Sequence, residues 1–107
     1  MRPEERFEEL VGELSGLPEV TSPGAADGRF GTQALRVRNR IFAMYVRGQL
    51  VLKLPKSRVD DLVAAGEGAR FDANKGTPMK EWLALHPDSA LPWRALAEEA
   101  MAFVGGA

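Results

Sequence analysis

The chain contains 107 residues, with 14 basic and 15 acidic side chains, one histidine and no cysteine. Its length predicts a single domain over residues 1–107, and a hydrophobic content of 45% with a net charge of −1 excludes a disordered chain. No apolar run approaches the roughly 18 residues that a membrane helix needs, and the acidic N-terminus is unlike a signal peptide. Without cysteine, disulfides and zinc–cysteine sites are excluded, and we expect a cytoplasmic protein.

The first predicted element is a helix that ends near Gly16 and Pro18. Pro3 suits its first turn, and apolar residues recur along it with a period of 3.6 residues. This stripe contains Phe7, Leu10, Val11, Leu14 and Leu17. Residues 21–28 are turn formers without periodicity, so they predict a surface loop.

Three short antiparallel strands are predicted next, at residues 34–38, 41–47 and 49–54. A two-residue turn at 39–40 joins the first two, and Gly48 supplies the positive φ that the second tight turn demands. Alternation along the first and third strands predicts which side chains face the core. These are Leu35, Val37, Leu50, Leu52 and Leu54.

For the middle strand, alternation alone does not decide which face points to the core. Either Phe42, Met44 and Val46 face inward, or Ile41, Ala43 and Tyr45 do. The bulkier choice puts Phe42 inside and leaves Tyr45 on the outer face with the basic side chains.

The second half of the chain predicts a helix, two strands and a final helix. Ser57 and Asp60 have the spacing of a capping box, which opens a short helix closed by Gly66. A short strand at residues 69–72 and a strand at residues 79–85 follow. Because both faces of the latter carry apolar residues, we expect it to be central or covered on both sides. The helix that starts near Asp88 or Ser89, with Pro92 in its first turn, buries Trp93, Leu96, Ala97, Ala100 and Val104.

The predicted order is therefore α-β-β-β-α-β-β-α. Strands joined by tight hairpins are antiparallel, and helices grouped around one such sheet form a two-layer domain. The sequence thus predicts an α+β fold with an antiparallel sheet of about five strands and helices on one side.

Three stretches of the chain resemble a known family of small bacterial proteins. They are FGTQALRVRNRIFAMYVRGQLVLKLP from Phe30, RVDDLVAAGEG from Arg58 and FDANKGTPMKEWLAL from Phe71. Over about residues 25–104 the chain resembles the TfoX/Sxy N-terminal-domain family and is also similar to the MmcQ/YjbR-like group. The most specific matches are Phe30-Gly31, the IFAM at residues 41–44, Lys53-Leu54-Pro55 and the PMKEW at residues 78–82.

This resemblance implies a small α+β fold of the kind found in secretion chaperones. Full-length TfoX/Sxy proteins regulate competence genes and carry a second, C-terminal domain, whereas this chain stops at Ala107. The resemblance supplies no catalytic residues, so it implies a fold and leaves the activity open.

Signatures of catalysis are nearly absent. The sequence has no GxSxG, P-loop, GxGxxG or HExxH motif. The single histidine, His86, follows a predicted strand and is expected to meet solvent there. We therefore expect no enzyme activity, no cofactor and no metal site.

Positive charge is concentrated in the predicted strands. Residues 29–58 contain eight basic side chains and no acid. Alternation predicts that several of them lie together with an aromatic ring on the outer face of the sheet. The candidate binding residues are Arg36, Arg38, Tyr45, Arg47 and Lys53. Cations that neutralise phosphates beside a ring that stacks on bases are typical of nucleic-acid binding, whereas a solvated face, a protein partner or a homodimer fits the same pattern.

A second candidate site lies around residues 74–82. Lys75, Lys80 and Trp82 could present two cations beside an indole ring to an anionic or aromatic ligand. The favoured alternative buries Trp82 in the core with Lys80 extended along it. Taken together, the sequence predicts a non-enzymatic binding domain that acts on itself or on a protein partner, with nucleic-acid binding as the alternative.

Overall fold

A computed structural model describes residues 2–17, 19–21, 33–46, 48–72 and 80–106. Within these ranges it contains three helices and one antiparallel sheet of six strands in the order β1-β2-β3-β4-β6-β5. The elements are α1 Pro3–Leu14, β1 Val20–Thr21, β2 Gln33–Val37, β3 Arg40–Val46, β4 Gln49–Lys53, α2 Lys56–Ala64, β5 Gly68–Arg70, β6 Trp82–Leu85 and α3 Trp93–Gly105. The predicted α+β class and element order are confirmed, with the two-residue β1 as an addition.

The helices cover one face of the sheet and form the core with it. Leu35 from β2, Leu52 from β4 and Leu83 from β6 are fully buried on this inner face. A fully buried leucine stabilises a fold by roughly 1.5–3 kcal/mol, so this layer contributes much of the stability. From the helices the core includes Phe7, Leu10, Leu14, Val59, Leu62, Trp93, Leu96, Ala97 and Ala100.

The hairpin between β2 and β3 turns one residue earlier than predicted. Val37 pairs with Arg40, which leaves Arg38 and Asn39 as the two turn residues. Both have positive φ, 50° and 67°, as a type I′ turn requires. Asparagine tolerates this conformation better than most residues, which explains the position of the turn. The prediction for Gly48 is confirmed, since its φ is 80°.

A β-bulge in β3 changes which side chains face the core. Leu35 pairs with Ala43, but the next residue of β2, Arg36, pairs with Ile41, so Phe42 is the extra residue. Phe42 and Ala43 are consequently both buried, although they are adjacent in sequence. The strict alternation that we applied to this strand is broken at Phe42.

Tyr45 therefore lies on the inner face, and its predicted outward orientation is wrong. It pairs with Leu50 of the inner face, and its ring stacks on that of Phe7 with centroids 5.5 Å apart. Burial raises the pKa of Tyr45, and the nearby charge of Glu4 raises it further. Met44 and Val46, expected inside with Phe42, belong to the opposite face.

The centre of the outer face is apolar rather than basic. Ala34, Met44, Val51, Ala84 and Ala69 are successive cross-strand partners over five strands. Val51 is fully buried, and Ala34 and Ala84 are nearly so. The expectation of a basic outer face is thus met only at one end of the sheet.

Two predicted helix starts are also corrected. The second helix, α2, begins at Lys56 after Pro55, and no side chain caps it, so the predicted box of Ser57 and Asp60 does not form. The Asp60 carboxylate instead accepts hydrogen bonds from Lys56 and Arg70. These ion pairs hold the pKa of Asp60 below its usual range.

The third helix, α3, starts later than predicted. Pro92 is its N-cap and Trp93 its first residue, whereas Asp88 and Ser89 lie in the preceding turn. There the Ser89 hydroxyl donates to the carboxylate of Glu67 at 2.6 Å. The predicted loop at residues 21–28 begins at Thr21, which instead ends β1, and its other residues lie outside the described part of the chain, as does the predicted strand start at Met79. In the part of the chain that is described, no helix is long and apolar enough to cross a bilayer.

Candidate binding site

The sheet splits at one end. Pairing between β3 and β4 stops at Ala43 and Leu52. Beyond that point β3 pairs only with β2, as far as Arg40, and β4 pairs only with β6, where Lys53 faces Trp82. The bulge at Phe42 lies at the point of divergence, where bulges bend a strand and increase its twist.

A groove of about 590 Å³ lies at this split. One side comes from β2 and β3, the other from β4 and β6, and the C-terminal turn of α3 completes it. Its lining residues are Arg36, Asn39, Arg40, Ile41, Lys53, Glu81, Trp82, Phe103 and Val104. The volume is within the range of ligand sites, roughly 300–1,000 Å³.

The end of α3 reaches the groove because Gly105 has no side chain. A Cβ at this position would lie 2.9 Å from Cγ2 of Val37. Val37 is buried and β-branched, so it moves aside only at a cost. The glycine therefore allows the close approach that places Phe103 and Val104 beside the hairpin.

The groove carries an excess of positive charge. Among its lining residues, three are cationic and only Glu81 is acidic. Within the described residues, neither Arg40 nor Lys53 has an ion-pair partner. Two cations are thus available to an anion that enters the groove.

Lys53 contacts the Trp82 ring. Its Nζ lies 5.7 Å from the ring centroid, within the range of a cation–π interaction. The two residues are cross-strand partners on the outer side of β4 and β6. This contact holds the ammonium group at the groove while its charge stays available.

Most of the apolar lining of the groove lies outside the core, with Val104 as the exception. Ile41, Trp82 and Phe103 are half-buried, and in the described part of the chain none of them packs against the core cluster. Large apolar side chains that do not contribute to the core and lie together in one groove are typical of a contact surface. Trp82 was expected in the core, and that interpretation is wrong.

The structure brings together only part of the predicted binding residues. Arg36, Lys53 and Trp82 line the groove, whereas Lys80 is exposed in the turn before β6 and does not line it. Arg38 is exposed and engaged by Glu19, with Nε 2.9 Å from Oε2. The other aromatic candidate, Tyr45, lies inside, and Arg47 and Lys75 are outside the described residues.

Other cations of the basic segment are paired with acids. Arg58 donates to both carboxylate oxygens of Glu99, at 2.9 and 3.2 Å. Lys56 pairs with Asp60 at 2.8 Å. The run of basic residues in the sequence is therefore not one continuous basic surface.

The sequence analysis did not select Arg40 and Phe103, which line the groove. Arg40 was assigned to the turn, although the sequence shows a basic residue directly before the apolar Ile41, and this pair was a usable signal. Phe103 was left out of the apolar stripe predicted for the last helix, although it follows Ala100 by three residues and Leu96 by seven and so lies at the edge of that stripe. Arg40 and Phe103 come together where the sheet splits at the bulge, and the sequence pattern does not indicate that bulge.

The single histidine has a local role. Nδ1 of His86 accepts the backbone N–H of Asp88 at 3.2 Å, and the side chain is exposed. Within the described residues, no group of three histidine or acidic side chains is arranged to hold a metal ion.

Comparison of the chain with family models, curated proteins and solved structures gave no match. The resemblance to the TfoX/Sxy N-terminal domain therefore stays a prediction, and function is argued from the groove.

Proposed function

We propose that the chain is a non-enzymatic binding domain that engages an acidic protein partner through the groove. The observation that carries this proposal is the pair Arg40 and Lys53, which have no ion-pair partner among the described residues and lie at one depression. Carboxylates of a partner pair with such cations and steer the encounter. As part of the same proposal, the protein is a cytoplasmic, bacterial member of the TfoX/Sxy N-terminal-domain family.

A protein partner fits the groove better than a nucleic acid does. Nucleic-acid binding on the outer sheet face needs a continuous row of cations and a stacking ring. Tyr45 is stacked on Phe7 inside the domain, and Arg38 is paired with Glu19. The centre of that face is the apolar row that runs from Ala34 to Ala69, which offers no phosphate contacts.

Self-association through charge would pair the acidic helix α1 of one copy with the groove of another. The acidic helix α1 contacts the start of α3, where Arg6 lies over the Trp93 ring at 4.2 Å. The groove lies at the other end of α3, about 18 Å away for a 13-residue helix. In a two-fold dimer the groove of each copy would have to meet α1 of the other copy at the same time across this distance. A different protein needs only the one contact at the groove, and we favour it as the partner.

The arrangement of titratable groups supports binding rather than catalysis. The imidazole of His86 is exposed, and it contacts the backbone N–H and the carboxylate of Asp88. Tyr45 has a raised pKa and Asp60 a lowered pKa, and neither residue lines the groove. A site tuned for acid–base chemistry has such groups within it.

The experiment measures the fluorescence anisotropy of a labelled glutamate-rich peptide with the wild type and with the double variant Arg40→Ala/Lys53→Ala. Lys80→Ala is the matched control, because Lys80 is an exposed cation of the same region that does not line the groove. We expect binding that weakens with salt, is lost in the double variant and is kept in the control.

Two results would contradict the proposal. Equal binding by the wild type and the double variant would place the acidic partner elsewhere. Tighter binding of an oligonucleotide than of the peptide would favour nucleic acid; contacts from Arg36, Arg40 and Lys53 to duplex phosphates predict a slope of about −2.7 for log K against log salt. Light scattering over a range of concentrations tests self-association in the same samples.

A further inference from the structure

We infer that the groove recognises an acidic peptide segment that carries a bulky apolar side chain next to its carboxylates. This inference rests on the proposed function and adds the chemistry of the partner segment. A purely acidic chain would use the cations of the groove and leave its aromatic lining exposed. The lining contains enough unused apolar surface to require a second kind of contact.

The first support for this inference is the partly exposed ring of Phe103. Its neighbours on α3, Met101 and Val104, pack against the core, but Phe103 is half-buried and does not pack against the core residues that the structure describes. A phenylalanine in this position gains nothing for the fold from its exposed ring face. Burial of that face by an apolar group of a partner removes it from water, which favours binding.

The second support is the placement of charge around the apolar lining. Arg40 and Ile41 are adjacent on β3, and Lys53 and Trp82 are cross-strand partners on β4 and β6. Each side of the groove thus combines one cation with one large apolar side chain. A ligand that matches both sides has an apolar group flanked by carboxylates. An acidic peptide with one leucine or phenylalanine meets this description.

A second copy of this chain does not supply such a segment from its acidic helix. The exposed side chains of α1 include Glu4, Glu8 and Glu9, whereas Phe7 and Leu10 are buried in its own core. The helix therefore offers carboxylates without an apolar anchor. A separate protein with an accessible acidic and apolar segment is the occupant that the groove fits.

The test compares two labelled peptides of equal length and equal negative charge, one with a central leucine and one with alanine in its place. Fluorescence anisotropy is measured with the wild type, Phe103→Ala, Ile41→Ala and the control Lys80→Ala. We expect the leucine peptide to bind about tenfold more tightly to the wild type and to Lys80→Ala. Phe103→Ala removes most of this preference and leaves the affinity for the alanine peptide nearly unchanged.

Each outcome has one meaning. Equal binding of both peptides that still depends on Arg40 and Lys53 overturns this inference and keeps the proposed function. No binding of either peptide overturns both. A preference for leucine that survives Phe103→Ala and Ile41→Ala also overturns the inference, because the anchor then lies outside the groove. Circular dichroism checks the fold of each variant, and Ile41→Ala supplies the test if Phe103→Ala does not fold.

Discussion

Nζ of Lys53 lies 5.7 Å from the centre of the Trp82 ring, and the two residues face each other across β4 and β6. At this end of the sheet β4 no longer pairs with β3, so the Lys53–Trp82 pair forms one side of an open groove. Both residues lie on the outer side of their strands, next to the inward pair of Leu52 and Leu83, so the ring stays outside the core with a cation beside it. This half-buried cross-strand pair is available to a partner.

Replacement of Lys53 by methionine separates binding from stability. Cation–π contacts at exposed sites contribute about 0.5–1 kcal/mol, so we expect Lys53→Met to lower the free energy of unfolding by about 1 kcal/mol or less. The same change removes one of the two groove cations that have no ion-pair partner among the described residues, and it weakens the binding of acidic peptides. Urea denaturation measures the first effect and anisotropy the second. A large loss of stability with unchanged binding would show that the pair serves the fold alone.

Tyr45 tests the register that the bulge creates. Because its ring stacks on Phe7 on the inner face, Tyr45→Ala should lower the free energy of unfolding by about 2 kcal/mol or more. Tyr45→Phe keeps the ring and should stay within about 0.5 kcal/mol of the wild type. Chemical denaturation of both variants measures this difference. An alanine variant as stable as the wild type would mean that Tyr45 faces outward.

Two glycine-to-alanine changes should have opposite effects. At Gly105 the new Cβ would lie 2.9 Å from Val37, so we expect Gly105→Ala to destabilise the domain by about 1–3 kcal/mol. At Gly12, inside α1, nothing lies within 4 Å of the new Cβ, and alanine should stabilise by about 0.5–1 kcal/mol. Thermal unfolding of both variants checks the signs. A stabilised Gly105→Ala variant would show that α3 does not approach β2 so closely.

The ion pairs of Asp60 predict a dependence of stability on pH. Lys56 and Arg70 lower the pKa of Asp60 in the folded state, so the stabilisation is present above the unfolded-state pKa of about 4 and is lost as the pH falls through the lower folded value. We expect Asp60→Asn to melt below the wild type at pH 7, with a difference that shrinks under acid conditions. Asp61→Asn, at an exposed neighbour, is the control. A difference that stays constant as the pH falls would exclude the ion pairs as its cause.

Most of the fold was predictable because its elements are strongly patterned. The stripe of α1 from Phe7 to Leu14 and the alternation from Leu50 to Leu54 each indicate one buried face. The turn at Arg38 and Asn39 shows where such patterns fail, since it depends on which residue tolerates positive φ rather than on periodicity.

The candidate site was less predictable for a physical reason. Alternation assigns the face of Tyr45 only while a strand is regular, and the bulge at Phe42 breaks it. Which cations are neutralised depends on contacts distant in sequence, as between Arg58 and Glu99. Arg36 and Lys53 were candidates for the outer face of the sheet and Trp82 for a second site, and the structure places all three along one groove, which the sequence pattern did not predict.

The two tryptophans provide the most direct measurement of the central claim. Trp82 lines the groove, whereas Trp93 is 6% exposed in the core, so their indole N–H signals report on the two places in one NMR spectrum of the ¹⁵N-labelled protein. On titration with the acidic, leucine-containing peptide, we predict that the Trp82 indole signal shifts and that the Trp93 signal stays in place. A peptide that binds while the Trp82 signal does not move would contradict the assignment of the groove as the binding site.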